Sequence, residues 1–168
     1  KPAKMPVGRT VGKIKKHLSG IYRHFIRDGK LELWFDGEQL GYDEPKVLVA
    51  PRDVSGASDT WKKSVSISLP GNKTVKGFVA IREEASTAEA GLALFRRGRL
   101  IVGSGDEGYR PTTIFGQPNS YRYQRVFGEL HLEGFGVSHT KDAIQWGGLE
   151  DDFLSALKKQ MNEEPLPI

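Results

Sequence analysis

The sequence predicts an α+β fold, in which a mixed and mostly antiparallel sheet carries helices on one face. Two observations lead to this prediction. Residues 11–28 and 149–161 repeat apolar side chains at helical spacing, whereas five to seven segments between them alternate apolar and polar residues and end at turn residues. Because most of these segments follow one another across short turns, we expect hairpins rather than repeated strand–helix–strand units.

The first predicted helix has one apolar stripe and one basic side. Ile14, Leu18, Ile21 and Phe25 recur at helical spacing, so we expect them to face a core. Gly29 follows as a stop signal, because glycine readily adopts the left-handed conformation that ends many helices. The same spacing in the last helix predicts an inner face of Leu149, Phe153, Leu157 and Met161.

The predicted strands rest mainly on alternation. Val65, Ile67 and Leu69 alternate with serines, and the turn at 70–72 sends the chain back. The Asp36-Gly37 pair is a strong signal for a two-residue hairpin turn. Residues 41–62 have the composition of a loop with one short strand. The predicted strands are 31–35, 46–50, 64–69, 74–82, 92–95, 99–102 and 127–132, with a short helical turn at 119–125.

The composition predicts one domain over residues 1–168. The chain has no Cys, which excludes disulfide scaffolds, thiolate zinc sites and thiol catalysis and fits a reducing, cytoplasmic location. No run of about 18 apolar residues is present, so we expect no membrane span. Because the chain opens at Lys1 without a Met, we expect it to be a piece of a longer protein.

The basic residues are unevenly distributed. Residues 1–30 carry nine Lys and Arg and one acid, a net charge of +8, which leaves 16 basic and 20 acidic residues in the rest of the chain. A basic end of this kind can bind nucleic acid, bind an acidic partner or simply face solvent. The candidate nucleic-acid contacts are Lys13, Lys16, Arg23 and Arg27 of the first helix and Arg96, Arg97, Arg99, Arg122 and Arg125 further along.

Residues 103–108 match the G-x-G-x-x-G pattern directly after a predicted strand. A dinucleotide site requires a helix to begin there, but Pro111 disfavours helix at the residue before it. Asp106 and Glu107 would also repel phosphate. We therefore expect a polar loop rather than a dinucleotide site.

Glu129, His131 and Glu133 alternate with two leucines and share one face of a predicted strand. Two carboxylates and an imidazole could bind a metal ion. The alternative is the solvent-facing side of a half-buried strand, and no second cluster of ligands completes a coordination shell. We therefore expect no metal site.

Residues 138–142, Ser-His-Thr-Lys-Asp, form a predicted loop. Lys141 could extend an ammonium group into a neighbouring phosphate site, although an exposed lysine is more often simply solvated. Nucleophilic catalysis by Ser138 and His139 is disfavoured, since adjacent residues rarely aim at each other and no orienting carboxylate is obvious.

The order of several short motifs resembles the second, transducer domain of bacterial GHKL ATPases, the superfamily of gyrase, heat-shock chaperones, histidine kinases and MutL. Within it, the sequence resembles the MORC-like proteins in particular. The resemblance covers residues 8–161. The motifs are Gly-Leu-Ala-Leu-Phe-Arg-Arg-Gly-Arg-Leu-Ile at 91–101, Tyr-Arg-Pro at 109–111, Ile-Phe-Gly at 114–116, Asn-Ser-Tyr-Arg-Tyr-Gln-Arg at 119–125, Gly-Glu-Leu-His-Leu at 128–132 and His-Thr-Lys-Asp at 139–142.

This resemblance implies a fold like that of the second domain of small-subunit ribosomal protein five, with a left-handed βαβ crossover, which is a rare exception to the usual handedness. It also implies that Lys141 matches the transducer lysine, which contacts the γ-phosphate of ATP in the adjoining domain. His139 and Thr140 would shape that loop. Such a contact favours ATP over ADP and orders two domains only while the γ-phosphate persists.

The sequence also departs from the superfamily. The nucleotide pocket requires a helix-borne Glu and Asn, a D-x-G-x-G loop and Gly-rich lid motifs, and none occurs in these 168 residues. We therefore expect an N-terminal ATP-binding domain of the same chain as the partner, with ATP and Mg²⁺ bound in the parent protein and no cofactor or appreciable ATPase activity in this piece. Homodimerisation through that domain, nucleic-acid binding and the client of the parent protein stay open.

Overall fold

The computed structural model describes residues 8–53, 56–103, 108–140 and 142–168. These residues divide into two compact units, one ending at Glu44 and the other beginning at Pro45. Each unit is described by itself.

The first unit consists of helix α1 (Gly8–Arg27) and a hairpin of strands β1 (Leu33–Phe35) and β2 (Glu38–Leu40). The predicted helix is confirmed, and so is its stop signal. Gly29 has φ 66°, and the Lys30 N–H donates to the Phe25 carbonyl at 2.9 Å across the helix end. This bond closes a Schellman motif, which satisfies carbonyls that the last turn of a helix leaves open.

The predicted hairpin turn is also confirmed. Asp36 and Gly37 have φ values of 52° and 77°, as a two-residue turn between twisted strands requires. The expectation that Ile14 faces a core is wrong, since its side chain is one of the exposed large apolar groups of the described residues.

The second unit is built on a five-stranded sheet. Its strand order is β5-β6-β9-β7-β8, with β7 and β9 parallel and the other neighbours antiparallel, which confirms an α+β fold with a mixed, mostly antiparallel sheet. The five strands are β5 (Lys62–Leu69), β6 (Lys73–Ile81), β7 (Gly91–Arg96), β8 (Arg99–Val102) and β9 (Val126–Glu133).

Smaller elements surround the sheet. Strands β3 (Val49–Pro51) and β4 (Ser58–Thr60) form one two-stranded ladder, and β10 (Gly136–Val137) and β11 (Ile144–Gln145) form another. Helices α2 (Thr112–Phe115) and α3 (Tyr121–Arg125) lie in the connection from β8 to β9, and α4 (Glu150–Asn162) follows β11. Residues 104–107 of the predicted polar loop lie outside the described residues.

The main core lies on one face of the sheet. The predicted inward residues Val65 and Ile67 are buried there, together with Phe153 and Leu157 of α4 and Phe115 of α2. Ala93, Phe95 and Leu100 form a separate buried cluster. Burial of one sheet face under helices is therefore the main source of stability of this unit.

The outer edge of β5 is closed by helix α4. The Gln160 side chain donates to the Ser66 carbonyl at 2.7 Å and accepts from the Ser66 N–H at 3.1 Å. An open sheet edge is a template for pairing with another chain. The amide of Gln160 occupies the groups of Ser66 that an added strand would use.

Candidate functional site

The segment that sequence reasoning placed in a loop lies between the two short strands β10 and β11. The Ser138 N–H donates to the Ala143 carbonyl at 2.9 Å, directly beyond the last pair of the ladder, Val137 with Ile144. Lys141 itself lies outside the described residues, whereas both of its neighbours are described. His139 and Thr140 are exposed.

Hydroxyl groups hold the chain on both sides of position 141. The Ser138 Oγ accepts from the N–H groups of Asp142 and Ala143 at 3.0 and 3.1 Å, and donates to the Asp142 carboxylate at 2.6 Å. The Thr140 Oγ1 donates to the same carboxylate oxygen at 2.6 Å. Sequence reasoning did not assign roles to Ser138 and Asp142, although hydroxyl and carboxylate side chains that bond nearby backbone are typical turn signals.

The electrostatics of this loop follow from those bonds. Hydrogen bonds from Ser138, and then from Thr140, hold the pKa of the Asp142 carboxyl below its usual range. The carboxylate therefore stays ionised at all but acidic pH. It is exposed, and it is the acid of the loop that lies next to Lys141 in the sequence.

An aromatic cluster anchors the hairpin to the core. Trp146, which follows β11, stacks on Phe153 of α4 with ring centroids 4.9 Å apart and meets the edge of Phe135 at 5.4 Å. Phe135 precedes β10 and is buried. The two strands have only two residues each, so these ring contacts, rather than the ladder, provide most of the packing of the hairpin. Sequence reasoning missed this role of Trp146.

Tyr109 joins the same cluster from the segment after β8. Its ring lies 6.3 Å from Trp146, and its hydroxyl donates to Glu150 Oε1 at 2.6 Å. Burial, and then the bond to Glu150, raise the pKa of Tyr109 far above its usual value, so the phenol stays protonated. Tyr109 also exchanges two backbone hydrogen bonds with Leu92 of β7. The first residue of the Tyr-Arg-Pro motif is thus a structural link between β7 and α4.

The four candidate nucleic-acid residues of α1 have different environments. Lys13 and Lys16 are exposed, whereas Arg23 is only 6% exposed and lies with its guanidinium 5.0 Å from the Tyr42 ring centre. Arg27 forms an ion pair with Glu44. Part of the basic side of α1 is therefore engaged within its own unit.

The five candidate arginines of the second unit fall into two groups. The guanidinium of Arg96 donates to the Phe135 carbonyl at 2.7 Å, and that of Arg122 donates to the Asn162 side chain at 2.7 Å. Arg125 donates to the carbonyls of residues 82 and 83. Arg97 and Arg99, by contrast, are exposed at the turn between β7 and β8.

The three residues considered as metal ligands do not form a site. Glu129 is 5% exposed, His131 stacks on Phe95 with ring centroids 4.9 Å apart, and Glu133 accepts from the Thr74 hydroxyl at 3.3 Å. Within the described ranges, no three His, Asp or Glu side chains are placed to hold one metal ion.

No known protein-family model matches this sequence, and no curated protein matches it. Among the helices of the described residues, none combines the length and the apolar character needed to cross a bilayer.

Proposed function

We propose that this chain is the transducer domain of a cytoplasmic GHKL-type ATPase, with the fold of the second domain of small-subunit ribosomal protein five. The ordered series of six motifs over residues 91–142 supports the proposal. The mixed sheet is compatible with it, because β7 and β9 are parallel and a helical connection after β8 leads to β9. The partner would be an ATP-binding domain of the same protein.

The observation that carries the proposal is the construction of the β10–β11 hairpin around position 141. Ser138 and Thr140 bind the Asp142 carboxylate, and Trp146 anchors the base of the hairpin on α4. A loop that reaches into a neighbouring phosphate site needs a fixed base and a solvent-facing tip. The exposed residues His139 and Thr140 next to Lys141 meet that need.

Position 141 carries the one Lys or Arg among positions 138–143. Asp142 is the one acidic residue among positions 138–143, and its charge is already bound by two hydroxyl groups. In the proposed role, bound ATP with Mg²⁺ supplies the phosphoryl group that is transferred to water in the partner domain. Lys141 places one positive charge beside the γ-phosphate, where it stabilises the charge that develops during transfer. Because ADP lacks that phosphate, the two domains are held together only in the ATP state.

The proposal is tested in the full-length protein by replacing one lysine. Lys141→Ala is expected to lower the turnover number about 100-fold, since removal of one group that stabilises a transition-state charge has an effect of this order. Lys158→Ala, at an exposed position of α4, is the control with the same change of charge and is expected to leave turnover unchanged. Thermal unfolding of both variants shows whether either change acts through stability.

A second experiment compares the rate of ATP hydrolysis by the 168-residue chain with that of the full-length protein. The chain by itself is expected to show no ATP hydrolysis above background, because the motifs of the nucleotide pocket are not in its sequence. Equal rates per molecule for the two proteins, or an unchanged turnover number in Lys141→Ala, would overturn the proposed function.

A further inference from the structure

The turn between β7 and β8 breaks two rules of local stability. Arg96 and Arg99 lie directly opposite each other in the antiparallel ladder, so two like charges meet across the hairpin. The turn consists of Arg97 and Gly98 with φ values of 51° and 75°. Such turns favour Asn before Gly, because a long side chain is strained in the left-handed conformation.

The described surroundings of this turn hold no partner for the side chains of Arg97 and Arg99. Among the residues that the structure describes, no carboxylate forms an ion pair with Arg97 or Arg99 and no group hydrogen-bonds to their side chains, both of which are exposed. Their neighbour Arg96 differs, since it donates to the Phe135 carbonyl. Local rules that are broken without internal compensation are expected at functional sites.

A fourth cation lies at the same end of the sheet. The Lys73 ammonium is 5.9 Å from the centre of the Phe135 ring, and Phe135 is the residue whose carbonyl binds Arg96. Lys73 and Arg96 therefore contact the same residue. We call Lys73, Arg96, Arg97 and Arg99 the basic hairpin end.

We propose that the basic hairpin end binds the phosphate backbone of a nucleic acid. Guanidinium groups present fixed forks of N–H donors that match phosphate oxygens, and strand ends and a two-residue turn hold them in place before binding. A protein partner would need apolar contact area at the centre of the interface. The exposed large apolar side chains of the described residues, Ile14, Trp34, Val49 and Tyr121, all lie in other elements.

Two double variants test the proposal, one at exposed arginines and one at arginines that hydrogen-bond within the fold. Arg97→Asn with Arg99→Gln removes two exposed charges and also relieves the strained turn and the like-charge pair. Arg122→Gln with Arg125→Gln removes the same charge, but these side chains hydrogen-bond within the fold. The first double variant is expected to melt at a higher temperature than the unchanged chain, and the second at a lower one.

Binding is measured by fluorescence anisotropy with a labelled DNA duplex of about 20 base pairs and with a single-stranded RNA of the same length, at several salt concentrations. The first variant is expected to bind the duplex more weakly. Its plot of log affinity against log salt is expected to be less steep, with the magnitude of the negative slope reduced by about two, one for each lost phosphate contact. The control variant is expected to keep the slope. Binding to either nucleic acid with this pattern supports the proposal and shows whether duplex or single strand is preferred.

Four results would overturn the proposal. The first is that the unchanged chain shows no salt-dependent binding to either probe. The second is that both double variants lose the same amount of affinity for nucleic acid. The third is that the unchanged chain binds a labelled polyglutamate peptide in preference to both nucleic acids. The fourth is a lower melting temperature of Arg97→Asn with Arg99→Gln without any change in slope, because it would show that the two arginines are structural.

Discussion

Different interactions stabilise the interior of each of the two units. In the first, the basic helix α1 is paired with an acidic segment, as in the ion pairs of Lys15 with Glu38 and of Arg27 with Glu44. In the second, a continuous apolar core joins one sheet face to α2 and α4. We therefore expect the interactions within the first unit to depend on salt and those within the second to be nearly independent of it.

The ion pairs of the first unit change what the charge of residues 1–30 indicates about the surface. Residues 31–44 contain five acids and no Lys or Arg, so the net charge of +8 in residues 1–30 falls to +3 over residues 1–44. A block of charge in a sequence predicts a basic surface only when the fold does not bring opposite charges to it. Arg97 and Arg99, by contrast, are exposed at the β7–β8 turn, although the sequence around them is less strongly basic than α1.

The largest effect is expected in the apolar core. Leu130→Ala removes a fully buried side chain of the central strand β9 and leaves a cavity, so it should lower the free energy of unfolding of the second unit by about 3 kcal/mol. Urea unfolding followed through the fluorescence of Trp61 and Trp146 measures this loss. Because the core is apolar, we predict the same loss of unfolding free energy at low and high salt. A loss that becomes smaller with added salt would contradict this prediction.

The next effect is local to the candidate loop. Ser138→Ala removes the acceptor of the Asp142 and Ala143 N–H groups, so hydrogen exchange of these two amides should become about tenfold faster. Exchange in β9 should not change, because that strand pairs with β6 and β7. Unchanged exchange at residues 142 and 143 would show that the loop does not depend on this hydroxyl.

Tyr109→Phe should cost about 1 kcal/mol at neutral pH, since it removes the hydrogen bond to Glu150 from a mostly buried ring. The folded state holds the pKa of Tyr109 above the usual 10.0. The phenol therefore ionises more readily in the unfolded chain, and stability falls as the pH rises above about 10. The Phe variant should lose this part of the alkaline dependence. Parallel stability curves for the two proteins above that pH would contradict the prediction.

The smallest effect is expected in the first unit. Glu38→Gln breaks the ion pair with Lys15 on an exposed hairpin, so it should destabilise the packing of α1 by only about 0.3 kcal/mol at low salt and by nothing at about 1 M salt. Hydrogen exchange of the α1 amides measures it. Glu32→Gln is the control, because no ion pair of this side chain is found among the described residues. If the effect of Glu38→Gln persists at high salt, it contradicts the expectation that the interactions within the first unit depend on salt.

Sequence reasoning predicted the elements that carry their own pattern. Strands β5 and β6 follow from alternation and a turn, and α4 follows from the spacing of its apolar residues. It missed β2, β4, the β10–β11 ladder and α2, which have two to four residues each. Such short elements exist because of their tertiary pairing, which no local periodicity records.

The candidate site was predictable only in part. Position 141 came from a resemblance carried by motif order, whereas the hydroxyl–carboxylate network of Ser138 and Asp142 depends on local turn chemistry that the sequence does contain. The stack of Trp146 on Phe153 joins residues from two elements and could not be derived from either one.

The γ-phosphate contact is the central claim, and hydrogen exchange of residues 138–143 in the full-length protein tests it most directly. We predict that a non-hydrolysable ATP analogue protects these amides, that ADP does not, and that Lys141→Ala abolishes the difference while Lys158→Ala preserves it. Equal protection by the analogue and ADP, or the same difference in Lys141→Ala, would contradict the account.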